Sequence, residues 1–259
     1  MNHNHMHLKM KISTTVSCLL LFGMLVTLAC SLTGIVTGKS ITPSDVIISE
    51  TRNVSDFTEI EMSTLGNIDL SQGSSESVTV TGNDNLVPLI TTDVRDGVLY
   101  IDSTKEFNIT AFSSDIELTY TIVVKDLSSL NLSGLGQVRM DSLTAPKFTL
   151  DISGGGDVKI SQLTTDELSL TLSGAGTVEL AGEAKQATIE LSGAGEVKAA
   201  DLKIQTASVK LPGLGSATLW VTDQLNGEIS GAGSVSYYGN PQTDVSSSGL
   251  GEFKPLGNK

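Results

Sequence analysis

The sequence predicts an all-β protein: a single-stranded right-handed parallel β-helix, or β-solenoid, with coils of roughly 20 residues and Ser-Gly-x-Gly corners. Three observations support this fold class. The corner motif or a close variant recurs seven times, at spacings of 20, 20, 19, 20, 18 and 18 residues. Apolar residues alternate with polar ones on both sides of each motif. Glycine is abundant, with 26 residues, whereas aromatic residues make up only 4% of the chain. A fixed period of this length is typical of arrays in which each repeat buries its apolar face against its neighbours.

The alternation is clearest in residues 168–180, where every leucine and valine and both motif glycines fall on even positions. A period of two indicates a strand rather than a helix. The apolar face therefore continues through the turn, and we expect the glycines at inward corners where a side chain would collide with the facing wall. The corner glycines are Gly134, Gly136, Gly154, Gly156, Gly174, Gly176, Gly193, Gly195, Gly213, Gly215, Gly231, Gly233, Gly249 and Gly251.

Each coil is expected to contain a strand before the corner, a strand after it and a return segment such as residues 181–186. Strands repeated in this way are parallel, and parallel crossovers are strongly biased to the right-handed form. Stacking also predicts columns of outward residues. In one column Lys159, Glu179 and Lys198 alternate in charge. Arg139 beside Lys159 breaks that alternation, and we expect Asp157 to offset it in part.

Two binding functions could also explain glycine pairs. A phosphate-binding loop needs the start of a helix after its glycines, and no apolar residues follow here at helical spacing. Calcium-binding rolls carry aspartates in glycine-rich turns, but Asp157 is the only aspartate at the equivalent position of these repeats. A calcium site needs several converging oxygen ligands. The sequence therefore favours structural corners over both sites.

The first 29 residues have the pattern of a signal peptide. Lys9 and Lys11 precede the apolar run 16–29, which ends at Cys30 in a sequence resembling a bacterial lipobox, although Thr27 departs from the usual aliphatic residue. We therefore predict a signal peptide at 1–29, lipid attachment at Cys30 and an anchor spacer at 30–49. The alternatives are ordinary secretion or an uncleaved N-terminal anchor. The prediction places the protein outside the cytoplasm, membrane-anchored at the bacterial cell envelope.

Cleavage would remove His3, His5 and His7, an alternating triplet that would otherwise suggest a metal site. The mature chain would then have no histidine, and Cys30 would be its only cysteine. This excludes Ser-His and Cys-His nucleophilic sites, histidine or thiolate metal sites, and an intramolecular disulfide. We expect no cofactor and no metal. The net charge of -13 argues against nucleic acid and against an anionic membrane surface as direct partners.

Catalysis by carboxylates is disfavoured because Glu179 and Glu190 repeat along outward strand positions, with no long loop to build a cleft around them. Trp220 and Tyr238 are the candidate ligand contacts. Each follows the second glycine of a corner, Gly215 or Gly233, by five residues, so they should stack on adjacent coils. They could form a platform for a sugar or a contact for a protein. The alternative, which we favour, is that they belong to a terminal coil covered by the C-terminal segment.

Residues 50–127 fit the repeat less well and are expected to form longer, irregular coils that cap one end. Residues 128–256 hold the regular coils, and residues 238–253 are expected to cap the other end.

Several segments in order resemble the putative auto-transporter adhesin, head GIN domain family. They are 54–60, 78–86, 96–101, the Ser-Gly-Ala-Gly repeats and Tyr238-Gly239-Asn240-Pro241. The resemblance covers about residues 50–254 and implies a bacterial envelope protein with a β-helical domain. The family name implies adhesion, and the family offers no catalytic or ligand residues to transfer.

The leading hypothesis is a non-enzymatic, lipid-tethered module in cell-surface adhesion or envelope scaffolding, with an unknown surface protein or glycan as partner. The alternative is a carbohydrate-binding or carbohydrate-processing β-helix protein.

Overall fold

The structure, a computed structural model, describes residues 41–104 and 116–259. These residues form one continuous sheet that winds into stacked parallel coils, so the predicted β-solenoid is confirmed. The strands are β1 (Ile47–Arg52), β2 (Glu59–Met62), β3 (Asn67–Gln72), β4 (Ser77–Asn83), β5 (Ile90–Arg95), β6 (Val98–Ser103), β7 (Leu118–Val124), β8 (Ser129–Leu132), β9 (Leu135–Met140), β10 (Leu143–Ile152), β11 (Gly155–Leu172), β12 (Thr177–Leu191), β13 (Glu196–Leu211), β14 (Ser216–Ile229), β15 (Ser234–Tyr238), β16 (Gln242–Ser247) and β17 (Glu252–Gly257).

The long strand β11 shows how one coil is built. Inward and outward residues alternate along it, except at Ser161–Gln162 and Asp166–Glu167, where two consecutive residues are exposed. Each exposed pair shifts the alternation by one residue and marks a bend. The coil therefore has three strand segments. Residues 163–167, the equivalent in this coil of the predicted return segment 181–186, are themselves strand and pair with β10 and β12.

The core is a set of apolar columns that run from coil to coil. One column consists of Ile152, Leu172, Leu191, Leu211 and Ile229, all at most 1% exposed. Complete burial of such a side chain contributes about 1.5 to 3 kcal/mol relative to exposure. Because each coil adds one member to every column, the apolar face of each coil is buried by the coils beside it.

The corner glycines stack directly on one another. A Cβ at Gly174 would overlap the carbonyl oxygen of Gly154, and a Cβ at Gly193 would overlap that of Gly174. The expected collision with the facing wall was wrong: the obstacle is the backbone of the preceding coil. Gly176 also has a φ of 153°, which L side chains rarely adopt.

The first coils are stacked out of sequence order. β6 and β7 pair with one edge of β2 and β3, and β8 and β9 pair with the other edge. The first coil in sequence, β2 and β3, therefore lies between two later ones.

The end of the solenoid beyond β6 and β7 is closed by antiparallel strands. β4 pairs with β7 and then with β1, while β5 forms a hairpin with β6. The hairpin turns at Asp96 and Gly97, whose positive φ angles of 52° and 80° suit a tight two-residue turn. The predicted cap at this end is therefore formed by antiparallel strands rather than by longer irregular coils.

Residues 41–46 are bound to this cap. The Ser44 backbone N–H donates to Asn85 Oδ1 at 3.1 Å, and Asn83 Nδ2 donates to the Ser44 carbonyl oxygen at 2.8 Å. Strand β1 begins at Ile47. The part of the predicted 30–49 spacer that the structure describes therefore belongs to the folded domain.

Tyr120 of β7 lies between β3 and the cap strand β4 and is 0% exposed. Its hydroxyl donates to the carbonyl oxygen of Leu65 at 2.9 Å. Burial raises the pKa of this phenol well above its ordinary value, because the ionised form would lose its hydration.

The opposite end finishes with a further parallel coil rather than the predicted covering cap. β16 pairs with β14, and β17 pairs with β15 and extends to Gly257. In this last coil Thr243 and Ser247 lie in register with Leu225 and Ile229, so polar residues occupy core columns. The ring of Phe253 fills the space above Gly227 and packs against the core.

Candidate functional site

The aromatic pair lies on the last coils. Trp220 is in β14 and Tyr238 is in β15, and the two residues are paired in register, which confirms that they stack on adjacent coils. Both side chains are half-buried. On the other side Trp220 pairs with Lys203 in β13, and the register is interrupted between Ala199 and Lys203. Residues 200–202 form the irregular stretch beside the tryptophan.

Lys259 covers the two rings. Its ammonium nitrogen lies 5.2 Å from the centroid of the Trp220 ring and 5.9 Å from that of Tyr238, within the range of cation–π attraction. The same ammonium group donates to the carbonyl oxygen of Ala200 and to Asp201 Oδ1. One cation is therefore held by two aromatic faces, a carboxylate and a carbonyl oxygen.

This arrangement bears on the predicted ligand role of Trp220 and Tyr238. A sugar ring that stacked on these faces would first have to displace Lys259. The segment after Tyr238 forms a further parallel coil instead of the expected cover, and Lys259 beyond it contacts the rings. The ligand role of Trp220 and Tyr238 stays a prediction. Sequence reasoning missed Lys259 and Asp201, since neither residue is close to the tryptophan along the chain or part of a motif.

The predicted column of outward residues is in register, with Glu179 opposite Lys159 on one side and Lys198 on the other, although Lys198 forms its ion pair with Glu196 of its own strand. Lys159 Nζ lies 2.6 Å from Glu179 Oε1, and Lys198 Nζ lies 3.2 Å from Glu196 Oε2. These side chains are about half exposed, so each pair contributes at most about 1 kcal/mol. Lys159, Glu179 and Lys198 line a shallow groove of about 300 Å³.

Asp157 does not offset Arg139, contrary to expectation. Its Oδ1 accepts the backbone N–H of Thr177 at 2.9 Å, one coil further along. Arg139 instead donates to Gln137 Oε1 at 2.7 Å and lies opposite Asp69 of β3 in register. The aspartate that suggested a calcium roll therefore satisfies a backbone donor next to Gly176.

The carboxylates considered for catalysis stand on strands. Glu179 is paired with Lys159, and Glu190 lies opposite Lys210 in register. Glycoside hydrolysis needs two carboxyl groups on either side of a bond held in a cleft. Neither residue lies on a loop that could enclose a substrate.

Other predicted sites cannot be placed. Cys30, His3, His5 and His7 lie outside the described residues. Within residues 41–104 and 116–259, no group of three His, Cys, Asp or Glu side chains is arranged to hold a metal ion. The same residues include no helix with the length and apolar character needed to span a membrane.

The family comparison covers most of the solenoid. The family described as "Putative auto-transporter adhesin, head GIN domain" matches residues 56–241, which is more than half of the chain. The chain belongs to this family. The match begins just before β2 of this head GIN domain and ends just before β16, so the stacked corners lie almost entirely within it.

Solved structures share the architecture of the head GIN domain. A protein from Bacteroides fragilis described as a putative adhesin is 28% identical, with a TM-score of 0.79, and the match covers 84% of this chain and 100% of that one. A putative adhesin from Parabacteroides merdae is 21% identical, with a TM-score of 0.64 and coverage of 85% and 100%. A protein from Parabacteroides distasonis described as a putative lipid binding protein is 22% identical, with a TM-score of 0.64 and coverage of 84% and 100%. The last two show the shared fold alone. No curated protein matches the chain.

Proposed function

We propose that this head GIN domain protein is a non-enzymatic adhesin of the bacterial cell surface, tethered to a membrane through a lipid on Cys30. The single observation behind the proposal is the family match over residues 56–241. The description of the Bacteroides fragilis relative as a putative adhesin agrees with it. Adhesion, rather than envelope scaffolding alone, is the role that we propose for the exposed faces of the solenoid.

The geometry supports a binding role over catalysis. Outward side chains of the regular coils stand in rows on strands, and the carboxylates among them form surface ion pairs such as Lys159–Glu179. A flat face of this kind can contact a partner over many coils, as solenoid surfaces do. It does not provide the enclosed pair of carboxyl groups that hydrolysis of a polysaccharide needs.

The lipid tether has a direct test. Cells that express the wild type or the Cys30→Ser variant are labelled with a radioactive fatty acid, fractionated and treated with external protease. We expect the wild type to be labelled, membrane-bound and accessible from outside, and the variant to be unlabelled. Equal labelling of both proteins would contradict attachment at Cys30.

Adhesion is tested with beads coated with the purified protein, on surfaces of immobilised mucin, collagen and fibronectin. We expect saturable attachment to at least one surface, inhibited by soluble protein, with beads that carry heat-unfolded chain as the control. If the beads attach to none of the three surfaces, the adhesin proposal is overturned for these surfaces. Attachment to mucin that disappears after deglycosylation and in the Trp220→Ala, Tyr238→Ala variant would favour carbohydrate binding.

A further inference from the structure

The residues around the Lys259 ammonium group come from three successive coils. Asp201 and Ala200 belong to β13, Trp220 belongs to β14 and Tyr238 belongs to β15. Ladder pairing between β14 and β15 places the backbones of Trp220 and Tyr238 side by side, and Asp201 pairs with Ala181 on the other edge of β13. None of these pairings involves Lys259. The backbone positions of Trp220, Tyr238 and Asp201 are therefore set by the solenoid and not by Lys259.

The chemistry of the four groups is selective for a cation with N–H donors. The two aromatic faces attract any cation, but Ala200 and Asp201 each accept an N–H hydrogen bond from the ammonium group. A quaternary ammonium ion could use only the rings and the charge of Asp201. The net charge of -13 further favours the approach of cations.

We propose that Trp220, Tyr238, Asp201 and the Ala200 carbonyl form a binding site for a primary alkylammonium group, with the side chain of a lysine residue on a partner as the ligand. Lys259 occupies this site from within the chain, and the partner's lysine displaces it. The aliphatic stem of a lysine side chain adds apolar surface next to the ammonium group, which a short amine lacks. This site goes beyond the proposed adhesin function and does not depend on the lipid tether.

The test uses the single tryptophan of the chain, Trp220, as a fluorescent reporter at the site. The Lys259→Met variant removes the internal competitor and retains a long side chain. It is titrated with N-acetyl-lysine amide, and the neutral N-acetyl-norleucine amide serves as control at the same ionic strength. We expect a saturable change in tryptophan emission with the lysine compound only. The wild type should need a higher concentration for the same change because Lys259 competes as a tethered ligand.

Two further variants in the Lys259→Met background test the named groups. Tyr238→Ala and Asp201→Asn should each weaken binding by about two- to fivefold, as expected for cation–π and ion-pair contacts at a partly exposed site. Unchanged circular dichroism and melting temperature verify that both variants fold. Equal midpoints of the N-acetyl-lysine amide titration in Lys259→Met and in the two variants built on it would overturn the assignment of Tyr238 and Asp201 to the site.

The remaining outcomes decide the ligand class. No saturable response of Lys259→Met, or an equal response to the norleucine compound, would overturn the site itself. Tighter binding of choline than of N-acetyl-lysine amide would overturn the preference for a primary ammonium group. Equal midpoints for ethanolamine and N-acetyl-lysine amide would overturn the assignment to a lysine side chain in favour of a small amine. Loss of adhesion in the bead assay would leave these results unchanged, so the two proposals fail separately.

Discussion

The carbonyl oxygen of Gly154 occupies the space in which a side chain at Gly174 would lie. The same relationship links Gly174 to Gly193 and continues along the regular coils. At this corner the distance between coils is set by direct contact between the backbones of adjacent coils. The recurrence of the motif therefore follows from stacking, and a side chain at any of these positions would push two coils apart.

We predict that Gly174→Ala destabilises the protein by at least about 2 kcal/mol, because a methyl group cannot be accommodated without moving the backbone of the preceding coil. Urea unfolding followed by circular dichroism measures the change in the free energy of unfolding. Ala175, the exposed residue between the two glycines, offers the matched control. Ala175→Ser should stay within about 0.5 kcal/mol of the wild type. Equal effects of the two substitutions would contradict the stacking argument.

The sequence predicted the regular coils well because their signals are local and repeated. The parity of Leu168, Leu170, Leu172 and Val178 identifies the inward face of each strand without knowledge of its partner. The period of the glycines then fixes which residues are neighbours in the stack. The pairing of Trp220 with Tyr238 follows from these two facts alone, since equal distances from equivalent corners place them side by side.

Features that depend on distant pairing could not be predicted. Nothing in the strand β2 indicates that β6 will lie on one edge and β8 on the other, because all three strands alternate in the same way. The direction of β4 is set by its contacts with β7 and β1 and has no local signal. The position of Lys259 over Trp220 is likewise a long-range contact made by a residue of a very common type.

The ring of Phe253 lies where a side chain at Gly227 would be. We predict that Phe253→Ala destabilises the protein by about 2 kcal/mol, less than for a fully buried phenylalanine, because this ring is half-buried. Gly227→Ala should cost about 1 to 3 kcal/mol in the wild type, since the ring must move. It should cost less in the Phe253→Ala background, where the space is open. Unfolding of all four proteins gives the coupling energy, and strict additivity would show that the two residues do not compete for one space.

Tyr120 predicts a change of stability at alkaline pH. The pKa of its phenol is raised in the folded protein above the value of about 10 in the unfolded chain. Above about pH 10 the unfolded state therefore loses a proton that the folded state retains. The contribution of Tyr120 to the free energy of unfolding is thus complete below that pH and declines as the pH rises. The Tyr120→Phe variant has no titrating group at this position. It also loses the hydrogen bond to Leu65, which contributes about 1 kcal/mol to the free energy of unfolding.

The measurement is the difference in the free energy of unfolding between wild type and Tyr120→Phe, from about pH 7 to about pH 11. We expect a constant difference up to about pH 9.5 and a decline above it, approaching about 1.4 kcal/mol per pH unit. Other titrating groups are common to both proteins and cancel in the difference. A difference that stayed constant to the highest pH would show that the buried phenol ionises as readily in the folded protein as in the unfolded chain.

Thr243 and Ser247 occupy core columns at the exposed end of the solenoid, in register with Leu225 and Ile229. A terminal coil with apolar residues at these positions would expose an apolar strand edge on which a second copy could stack. Terminal repeats of solenoids commonly prevent such association with polar residues. We predict that the double variant Thr243→Leu, Ser247→Ile associates in a concentration-dependent manner, measured by size-exclusion chromatography with light scattering.

The matched control, Gln242→Leu with Ser246→Ile, adds the same apolar groups to the outward side of β16 and should retain the mass of the wild type. Association of the control to the same extent would mean that added hydrophobicity alone is responsible, whereas no association of the inward variant would mean that Thr243 and Ser247 do not protect this end.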